Sequence, residues 1–162
     1  MFGTVAHARV RPGHEQALIS LMEEWNRELA VNVTGTFLVT RAVFPIMRKQ
    51  GYGKIVCLGS VAGYVGGEFT GPHYVASKGA VHSFVKWVAR RGGPHSVYAN
   101  AIAPGPIRSR MAGDFRPREG LFPLGRMGEP EDVAEAVVFL ASPASNWITG
   151  TVLHLNGGMY LA

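Results

Sequence analysis

The sequence predicts an α/β fold, with a mostly parallel sheet of about four strands and helices packed on it. Two patterns indicate this: short β-rich runs bounded by glycine or alternating at period two, and longer segments with helical spacing. We predict strands near 2–10, 53–59, 96–103 and 151–155, and helices near 14–49, 73–91 and 130–141.

The first predicted unit is a strand, a tight turn and a helix. Arg11-Pro12-Gly13 makes the turn, and apolar residues at helical spacing follow it: Ala17, Leu18, Leu21, Met22, Trp25 and Leu29. The helix is expected to bend around Gly35 or before Pro45. A right-handed crossover through it would allow the strand 2–10 to lie beside 53–59, but the sequence leaves that placement open.

The second unit is a buried strand that ends in Gly59-Ser60. Ligands of open α/β sheets bind outside the carboxyl ends of the strands, so Ser60 is expected to line a crevice. Cys57 lies inside the apolar run and is interpreted as a small core residue.

Tyr74 and Lys78 are the most informative pair in the chain. They lie four residues apart, so a helix bounded by Pro72 and 92–94 places both on one face. A cation held beside a phenol favours the phenolate, which allows a tyrosine to exchange protons near neutral pH. Taken alone, the same pair also fits an ordinary solvated helix face.

The third unit is a strand that runs into the loop Pro104-Gly105-Pro106-Ile107-Arg108-Ser109. Asn100, inside this strand, is interpreted as a structural hydrogen-bonding residue. Glu129-Pro130-Glu131-Asp132 then opens the last helix, with proline in the first turn and acids near its positive end.

Composition predicts a single compact domain, because 47% of the residues are hydrophobic and 17% are charged. No apolar run approaches the roughly 18–20 residues that span a bilayer, and residues 1–13 lack a signal-peptide layout, so no membrane association is expected. One cysteine fits a reducing, cytoplasmic setting. The six histidines show no ligand spacing, so no metal site is predicted.

The formal net charge of +5 permits weak attraction to anions such as phosphate-bearing cofactors. Several arginines lie in one loop-rich stretch, without the aromatic pattern typical of nucleic-acid binding: Arg108, Arg110, Arg116, Arg118 and Arg126. We therefore expect no nucleic-acid partner. The stretch is either a basic lid over a phosphorylated or acyl-carrier substrate or a solvated loop.

Several motifs in order along residues 23–162 resemble the C-terminal half of the short-chain dehydrogenase/reductase family, near its 3-oxoacyl-carrier-protein reductase and sugar or steroid dehydrogenase members. They are Asn32-Val33-Thr34-Gly35-Thr36-Phe37, the strand ending in Gly59-Ser60, Tyr74-x-x-x-Lys78, Asn100-Ala101-Ile102-x-Pro104-Gly105, Gly128-x-Pro130-Glu131-Asp132-Val133-Ala134 and Leu155-Asn156-Gly157-Gly158. The resemblance implies a truncated Rossmann-like, doubly wound sheet. It also implies NAD(P)-dependent carbonyl reduction or alcohol oxidation of a small molecule.

The resemblance implies a role for each matched residue. Tyr74 would be the general acid in reduction or the base in oxidation, and Ser60 would hydrogen-bond the substrate oxygen. Lys78 would favour the phenolate and hold the nicotinamide ribose, while Asn32 would position a water that passes protons to Lys78. The cofactor's nicotinamide end would be held by Tyr74, Lys78, Pro104, Gly105, Ile107 and Ser109. Ser60 could instead be an ordinary strand-end hydroxyl, and Asn32 a helix-kink residue.

Other motifs of the family do not occur in the sequence: the pyrophosphate-binding turn Thr-Gly-x-x-x-Gly-x-Gly or Gly-x-Gly-x-x-Gly, and the segment Asn-Asn-Ala-Gly. At 162 residues the chain is also shorter than a full domain of the family. NAD(P)(H) is therefore expected to bind weakly or not at all. Two functions stay open: an oxidoreductase, or a catalytically inactive, self-associating half-domain or chimeric scaffold.

Residues 1–28 resemble another family, the dimeric α+β barrel proteins related to antibiotic-biosynthesis monooxygenases. The two resemblances overlap at 23–28, so we predict a foreign-looking β–α segment over 1–28, packed on residues 29–162. Any amphipathic β–α unit gives a similar pattern, and a natural or an engineered splice remains possible.

A homo-oligomer is expected as well. The resembled family pairs its subunits through the helix with the catalytic tyrosine and the helix before it. The corresponding helices here are rich in apolar residues: Phe37, Leu38, Val81, Phe84, Val85 and Trp87. Exposed apolar faces and a free sheet edge favour a homodimer or a larger symmetric assembly.

Overall fold

The computed structural model describes residues 9–67 and 70–161. The helices are α1 Glu15–Leu29, α2 Thr36–Gln50, α3 Ala62–Val65, α4 Pro72–Gly92 and α5 Pro130–Ala141, and the strands are β1 Gly53–Leu58, β2 Val97–Pro104 and β3 Val152–Leu155. A π-helical segment, Ala30–Gly35, joins α1 to α2 without a break. The predicted alternation of strands and helices is therefore confirmed across the described ranges.

The sheet is parallel throughout, in the order β1-β2-β3. Gly53 lies opposite Val97 at the start of the first pair, and Ala101 lies opposite Val152 in the second. This confirms the predicted α/β class. Three strands are present in the part of the chain that the structure describes, where about four were predicted. The predicted strand 2–10 lies outside the described residues except for Arg9 and Val10, which are not in a strand.

Hydrophobic packing covers both faces of this sheet, as expected for parallel strands. Successive residues of β2 point to opposite sides, so Ala101 and Ala103 pack with α4 on one face. Ile102 packs on the other face, against Leu140 of α5. Because both faces are covered, the ligand-accessible part of the sheet is its carboxyl edge.

The π-helical segment marks where the long helix departs from regular geometry. Inserted π turns free backbone groups and frequently occur at functional sites. Here the hydroxyl of Thr36 donates to the carbonyl of Asn32 at 2.7 Å. A bend was predicted either around Gly35 or before Pro45. The irregular segment ends at Gly35, whereas Pro45 lies inside the regular helix α2.

The long helix over residues 15–50 bears on the expectation that no apolar segment is long enough to span a bilayer. It runs without a break over residues 15–50 and includes an 18-residue window of mean hydropathy 1.4, of which only 6% is buried. By length and composition alone it could cross a membrane, whereas no apolar run of that kind had been recognised. Polar residues interrupt the apolar ones in this window, so no continuous apolar run stands out, yet the mean hydropathy of the window stays high. A helix that packs on another protein has the same composition.

The start of α5 ties down the arginine-rich loop. Asp132 accepts the backbone N–H of Glu129 at 2.7 Å and both terminal nitrogens of Arg126 at 2.7 and 2.8 Å. The guanidinium and the backbone hydrogen bond hold the pKa of Asp132 well below its usual range. Arg108 pairs with Glu129 at 2.9 Å. These two arginines therefore have acidic partners within the chain, which favours a structural role for them over a basic lid.

Candidate active site

A cleft of about 610 Å³ opens at the carboxyl ends of β1 and β2. Pockets of this size are typical of small-molecule and cofactor sites. It is lined by every predicted site residue except Asn32: Ser60, Tyr74, Lys78, Pro104, Gly105, Ile107 and Ser109. The chain fold thus brings together residues from three separate segments that the sequence analysis had linked only by motif.

Tyr74 and Lys78 lie on the first turns of α4, which Pro72 starts. The Nζ atom of Lys78 is 5.4 Å from the centroid of the Tyr74 ring, close enough for a cation–π contact. The same ammonium donates to the carbonyl of Leu58 at 3.1 Å. The Leu58 carbonyl, at the end of β1, therefore fixes where the positive charge lies in the cleft.

Two opposing effects act on the charge of Lys78. Burial lowers the pKa of Lys78 from its ordinary value, and the carboxylate of Glu28 opposes that shift. Glu28 itself lines the cleft. A lysine whose pKa is lowered by burial gives up its proton more readily, so this group is suited to proton exchange as well as to charge stabilisation.

Ser60 follows β1 directly and is buried, with 8% of its surface exposed. Its Oγ accepts the backbone N–H of Ala62 at 3.2 Å, and its own N–H donates to Nε2 of His82 at 3.3 Å. None of the described residues accepts the Ser60 hydroxyl proton, so that proton is available to an acceptor in the cleft. An ordinary strand-end hydroxyl also makes the bond to Ala62, so the catalytic role of Ser60 stays a prediction.

Asn32 lies behind the cleft wall, in the π-helical segment. Its side-chain amide donates to Glu28 at 2.7 Å and to the hydroxyl of Ser77 at 3.1 Å. Ser77 in turn donates to the carbonyl of Tyr74 at 2.8 Å. Asn32 therefore holds the first turn of α4 against the preceding helix, and its link toward Lys78 passes through Glu28. Its predicted role with a water stays a prediction.

The loop after β2 forms the opposite side of the cleft. Gly105 donates to Leu155 at 2.9 Å, and Val61 donates to Pro104 at 2.9 Å, so the loop is tied to both neighbouring segments. A Cβ atom at Gly105 would lie 3.1 Å from the Cα of Asn156, so the site favours glycine. This backbone is thus fixed where the cofactor's nicotinamide end was predicted to lie.

Two histidines at this site, His73 and His82, were not predicted from the sequence. His82, one of the six histidines for which no ligand spacing was found, is 5% exposed and contacts the Ser60 loop. His73 lines the cleft, pairs with Glu24 at 3.3 Å, and leaves its buried Nδ1 without a hydrogen-bond partner in the described part of the chain. A signal for His82 was present, because it lies four residues after Lys78 and so shares the helix face of Tyr74.

Two remaining interpretations are confirmed. Asn100 is 1% exposed, donates to the carbonyl of Ile148 at 2.9 Å and accepts from the N–H of Thr151 at 3.2 Å, as a structural residue does. Cys57 is buried in the core, and burial raises the pKa of its thiol.

A parallel sheet covered on both faces, with a tyrosine, a lysine and a serine at its carboxyl edge, is a Rossmann-like arrangement. The family model described as "Enoyl-(Acyl carrier protein) reductase" matches residues 3–160. The chain therefore belongs to the short-chain dehydrogenase/reductase family.

Curated relatives agree with this assignment. A 3-oxoacyl-[acyl-carrier-protein] reductase of Aquifex aeolicus is 40% identical over 142 residues, which are 85% of this chain and 57% of the relative. A galactitol 2-dehydrogenase of Cereibacter sphaeroides is 41% identical over 142 residues, covering 83% and 56%. The chain thus spans little more than half the length of the curated relatives that it matches.

Solved structures give the same picture. A 3-oxoacyl-[acyl-carrier protein] reductase of Brucella melitensis superposes with a TM-score of 0.82 at 38% identity, covering 86% of this chain and 54% of that one. A second structure from that organism, with bound NAD, gives a TM-score of 0.78 at 37% identity, with coverage of 86% and 53%. None of these matches is to an α+β barrel protein. The resemblance of residues 1–28 to that family therefore stays a prediction.

Proposed function

We propose that this chain carries the proton-transfer half of an NAD(P)-dependent oxidoreductase site that interconverts a carbonyl and an alcohol. The observation that carries the proposal is the convergence of Ser60, Tyr74 and Lys78 on one cleft. Each has the chemistry that such a reaction needs: a hydrogen-bond donor, a proton donor and a nearby cation.

In carbonyl reduction, the substrate oxygen would accept a hydrogen bond from the Ser60 hydroxyl and a proton from the Tyr74 phenol. Lys78 would stabilise the phenolate that remains and return a proton to it. Glu28, which lines the cleft and contacts Asn32, would exchange that proton with solvent. When bound, a reduced nicotinamide cofactor supplies the hydride that the carbonyl carbon gains. Alcohol oxidation reverses every step.

The residues present fit only one end of such a cofactor. The fixed loop at Gly105–Ser109 and the ammonium of Lys78 can cup a nicotinamide and its ribose. The sequence has no glycine-rich turn behind a first strand, which is where the family binds the pyrophosphate. We therefore propose that NAD(P)(H) binds weakly to this chain.

The cleft favours a substrate with an apolar portion. Its lining includes four apolar residues that have no role in the proposed chemistry: Met111, Ala112, Phe115 and Met159. An acyl chain can bury apolar surface against these residues, whereas a polyol would leave hydroxyls that contact them without partners. A 3-oxoacyl thioester therefore fits better than a sugar alcohol.

The test is to measure turnover of a short 3-oxoacyl thioester in the presence of millimolar NADPH or NADH. The loss of absorbance of the reduced nicotinamide monitors the reaction. Tyr74→Phe should abolish detectable turnover because phenylalanine has no phenolic proton. Tyr52→Phe is the matched control: this tyrosine lies against Tyr98 with ring centroids 6.2 Å apart and does not line the cleft. Equal turnover in wild type and Tyr74→Phe would contradict the assignment.

The second candidate is an inactive, self-associating half-domain. It is favoured by one observation, the apolar and exposed surface of the helix over 15–50. A wild-type chain that shows no turnover at millimolar cofactor would support this candidate over the enzyme.

A further inference from the structure

His82 shares a helix face with the two residues that the proposed chemistry uses. Tyr74, Lys78 and His82 succeed one another at intervals of four residues along α4, so their side chains follow one stripe of the helix. The stripe faces the loop after β1. Tyr74 and Lys78 meet the cleft itself, whereas His82 lies deeper, with 5% of its surface exposed.

The imidazole of His82 is enclosed by the loop that carries Ser60. Nε2 of His82 accepts the backbone N–H of Ser60 at 3.3 Å. A Cβ atom at Gly59 would overlap with Nε2, and one at Gly63 would lie 2.8 Å from Cε1. The ring of Tyr64 closes another side, with its centroid 4.6 Å from that of the imidazole. The loop therefore fits around this ring, on either side of Ser60.

We propose that His82 is a positioning residue for Ser60: its neutral imidazole accepts the Ser60 amide and thereby aims the Ser60 hydroxyl at the substrate oxygen in the cleft. The catalytic part of this inference rests on the proposed function, whereas the hydrogen bond and its effect on the loop do not. Helix α4 would then fix the positions of both groups, because it carries Tyr74 itself and holds Ser60 through His82.

The surroundings of His82 keep the imidazole neutral. Nε2 can accept a hydrogen bond only while it is unprotonated, which places the single ring proton on Nδ1. Burial, followed by the positive charges of Lys86, His154 and Lys78, lowers the pKa of His82 to about 4. Tyr64 is the remaining titratable group in ring contact with it. The acceptor is thus present throughout the neutral range.

The hydrogen bond is tested by NMR on the uniformly ¹⁵N-labelled full chain, independently of any activity. We expect a scalar coupling across the hydrogen bond between the Ser60 amide nitrogen and Nε2 of His82 at pH 7. Acidification should remove it together with protonation of His82, with a midpoint near pH 4. A histidine that only packs beside the loop, without accepting the Ser60 amide, would not show the coupling across the hydrogen bond. Assigned Ser60 and His82 signals with neither effect would overturn the proposal.

The positioning role is tested with His82→Gln and His82→Leu. The glutamine side chain can place an oxygen acceptor near the position of Nε2, whereas leucine fills a similar volume without one. In the thioester reduction assay, His82→Leu should lower kcat up to about 100-fold with little change in KM, the scale of misplacing a reacting group by about 1 Å. His82→Gln should restore most of kcat. His154→Gln is the control, because His154 contacts the same Tyr64 ring but does not bond Ser60.

Circular dichroism and thermal unfolding establish that each variant is folded. Equal kcat in folded His82→Leu and wild type would overturn the positioning role. If His82→Leu does not fold, His82→Gln and the acid titration decide: a loss of kcat in His82→Gln much larger than that in His154→Gln, or a Ser60 amide signal that does not follow the titration of His82, would also overturn it. A wild-type chain without turnover contradicts the proposed function alone, since the NMR result still decides whether His82 holds Ser60.

Discussion

The side-chain amide of Asn32 donates to the carboxylate of Glu28 at 2.7 Å, one helical turn earlier on the same long helix. This contact anchors a negative charge at the cleft wall, and that charge raises the pKa of Lys78 against the effect of burial. Glu28 lies in α1 and Asn32 in the π-helical segment, and their spacing of four residues places them next to each other on one helix face. Glu28 thus links the helix geometry to the electrostatics of the site.

Glu28→Gln should lower the pKa of Lys78 further. Glutamine keeps an oxygen that can accept from Asn32 but removes the negative charge that opposes the effect of burial. An NMR titration of the Lys78 side chain measures the shift directly. Glu24→Gln is the control, because Glu24 lies one turn earlier and pairs with His73. A Lys78 pKa that is unchanged in Glu28→Gln would contradict this account.

Stability should fall in acid through His82. The pKa of His82 is about 4 in the folded protein against 6.5 ordinarily, so the unfolded chain takes up a proton that the folded chain resists. The contribution is complete above about pH 6.5 and is lost as the pH falls toward 4, by up to roughly 3 kcal/mol.

Denaturant unfolding between pH 4 and 7 measures that contribution. His82→Gln, which does not titrate, should flatten the pH dependence in this window. His14→Gln replaces an exposed histidine and should keep the wild-type slope. The same slope in His82→Gln and wild type would place the acid sensitivity elsewhere.

Cofactor affinity should be millimolar. With only the nicotinamide end contacted, we expect NADH or NADPH to bind this chain with a Kd no tighter than about 1 mM. For the same reason the dinucleotide should bind no more tightly than reduced nicotinamide mononucleotide. Isothermal titration calorimetry with both ligands makes the comparison. A micromolar Kd for the dinucleotide alone would mean that another surface of the chain supplies a phosphate site.

Helices α2 and α4 should mediate self-association. Phe37 packs edge-on against Phe84 with centroids 6.2 Å apart, and Trp87 stacks beside Phe84 at 6.5 Å. Phe37 is 44% exposed and Trp87 is 56% exposed, so this aromatic cluster faces outward. We expect light scattering at micromolar concentration to give at least twice the chain mass of 17.4 kDa.

A charge within that aromatic cluster should disrupt the assembly. Trp87→Glu would have to bury an unpaired carboxylate between subunits, which strongly opposes association. Trp147→Glu is the matched control, because Trp147 is 99% exposed and lies outside both helices. A wild-type chain that scatters as a clean 17.4 kDa monomer would refute the prediction.

Local patterns in the sequence determined the positions of the elements. The predicted strand 53–59 and helix 130–141 agree with β1 at Gly53–Leu58 and α5 at Pro130–Ala141. Glycine, proline and capping residues set these boundaries through contacts within a few residues, so no tertiary information was needed. The pairing of Tyr74 with Lys78 was predictable for the same reason, since helical spacing alone brings them together.

Tertiary structure alone decided which residues support the site. His82 is 22 residues from Ser60, and Asn32 is 45 residues from Ser77, yet both pairs are hydrogen-bonded. No local pattern encodes such contacts, because they arise when α4 packs against β1 and the long helix. The sequence determined the reactive groups, Ser60, Tyr74 and Lys78. Packing decided which neighbours position these groups and shift the pKa of Lys78. Burial and electrostatic interactions depend on distance in space rather than on separation along the chain.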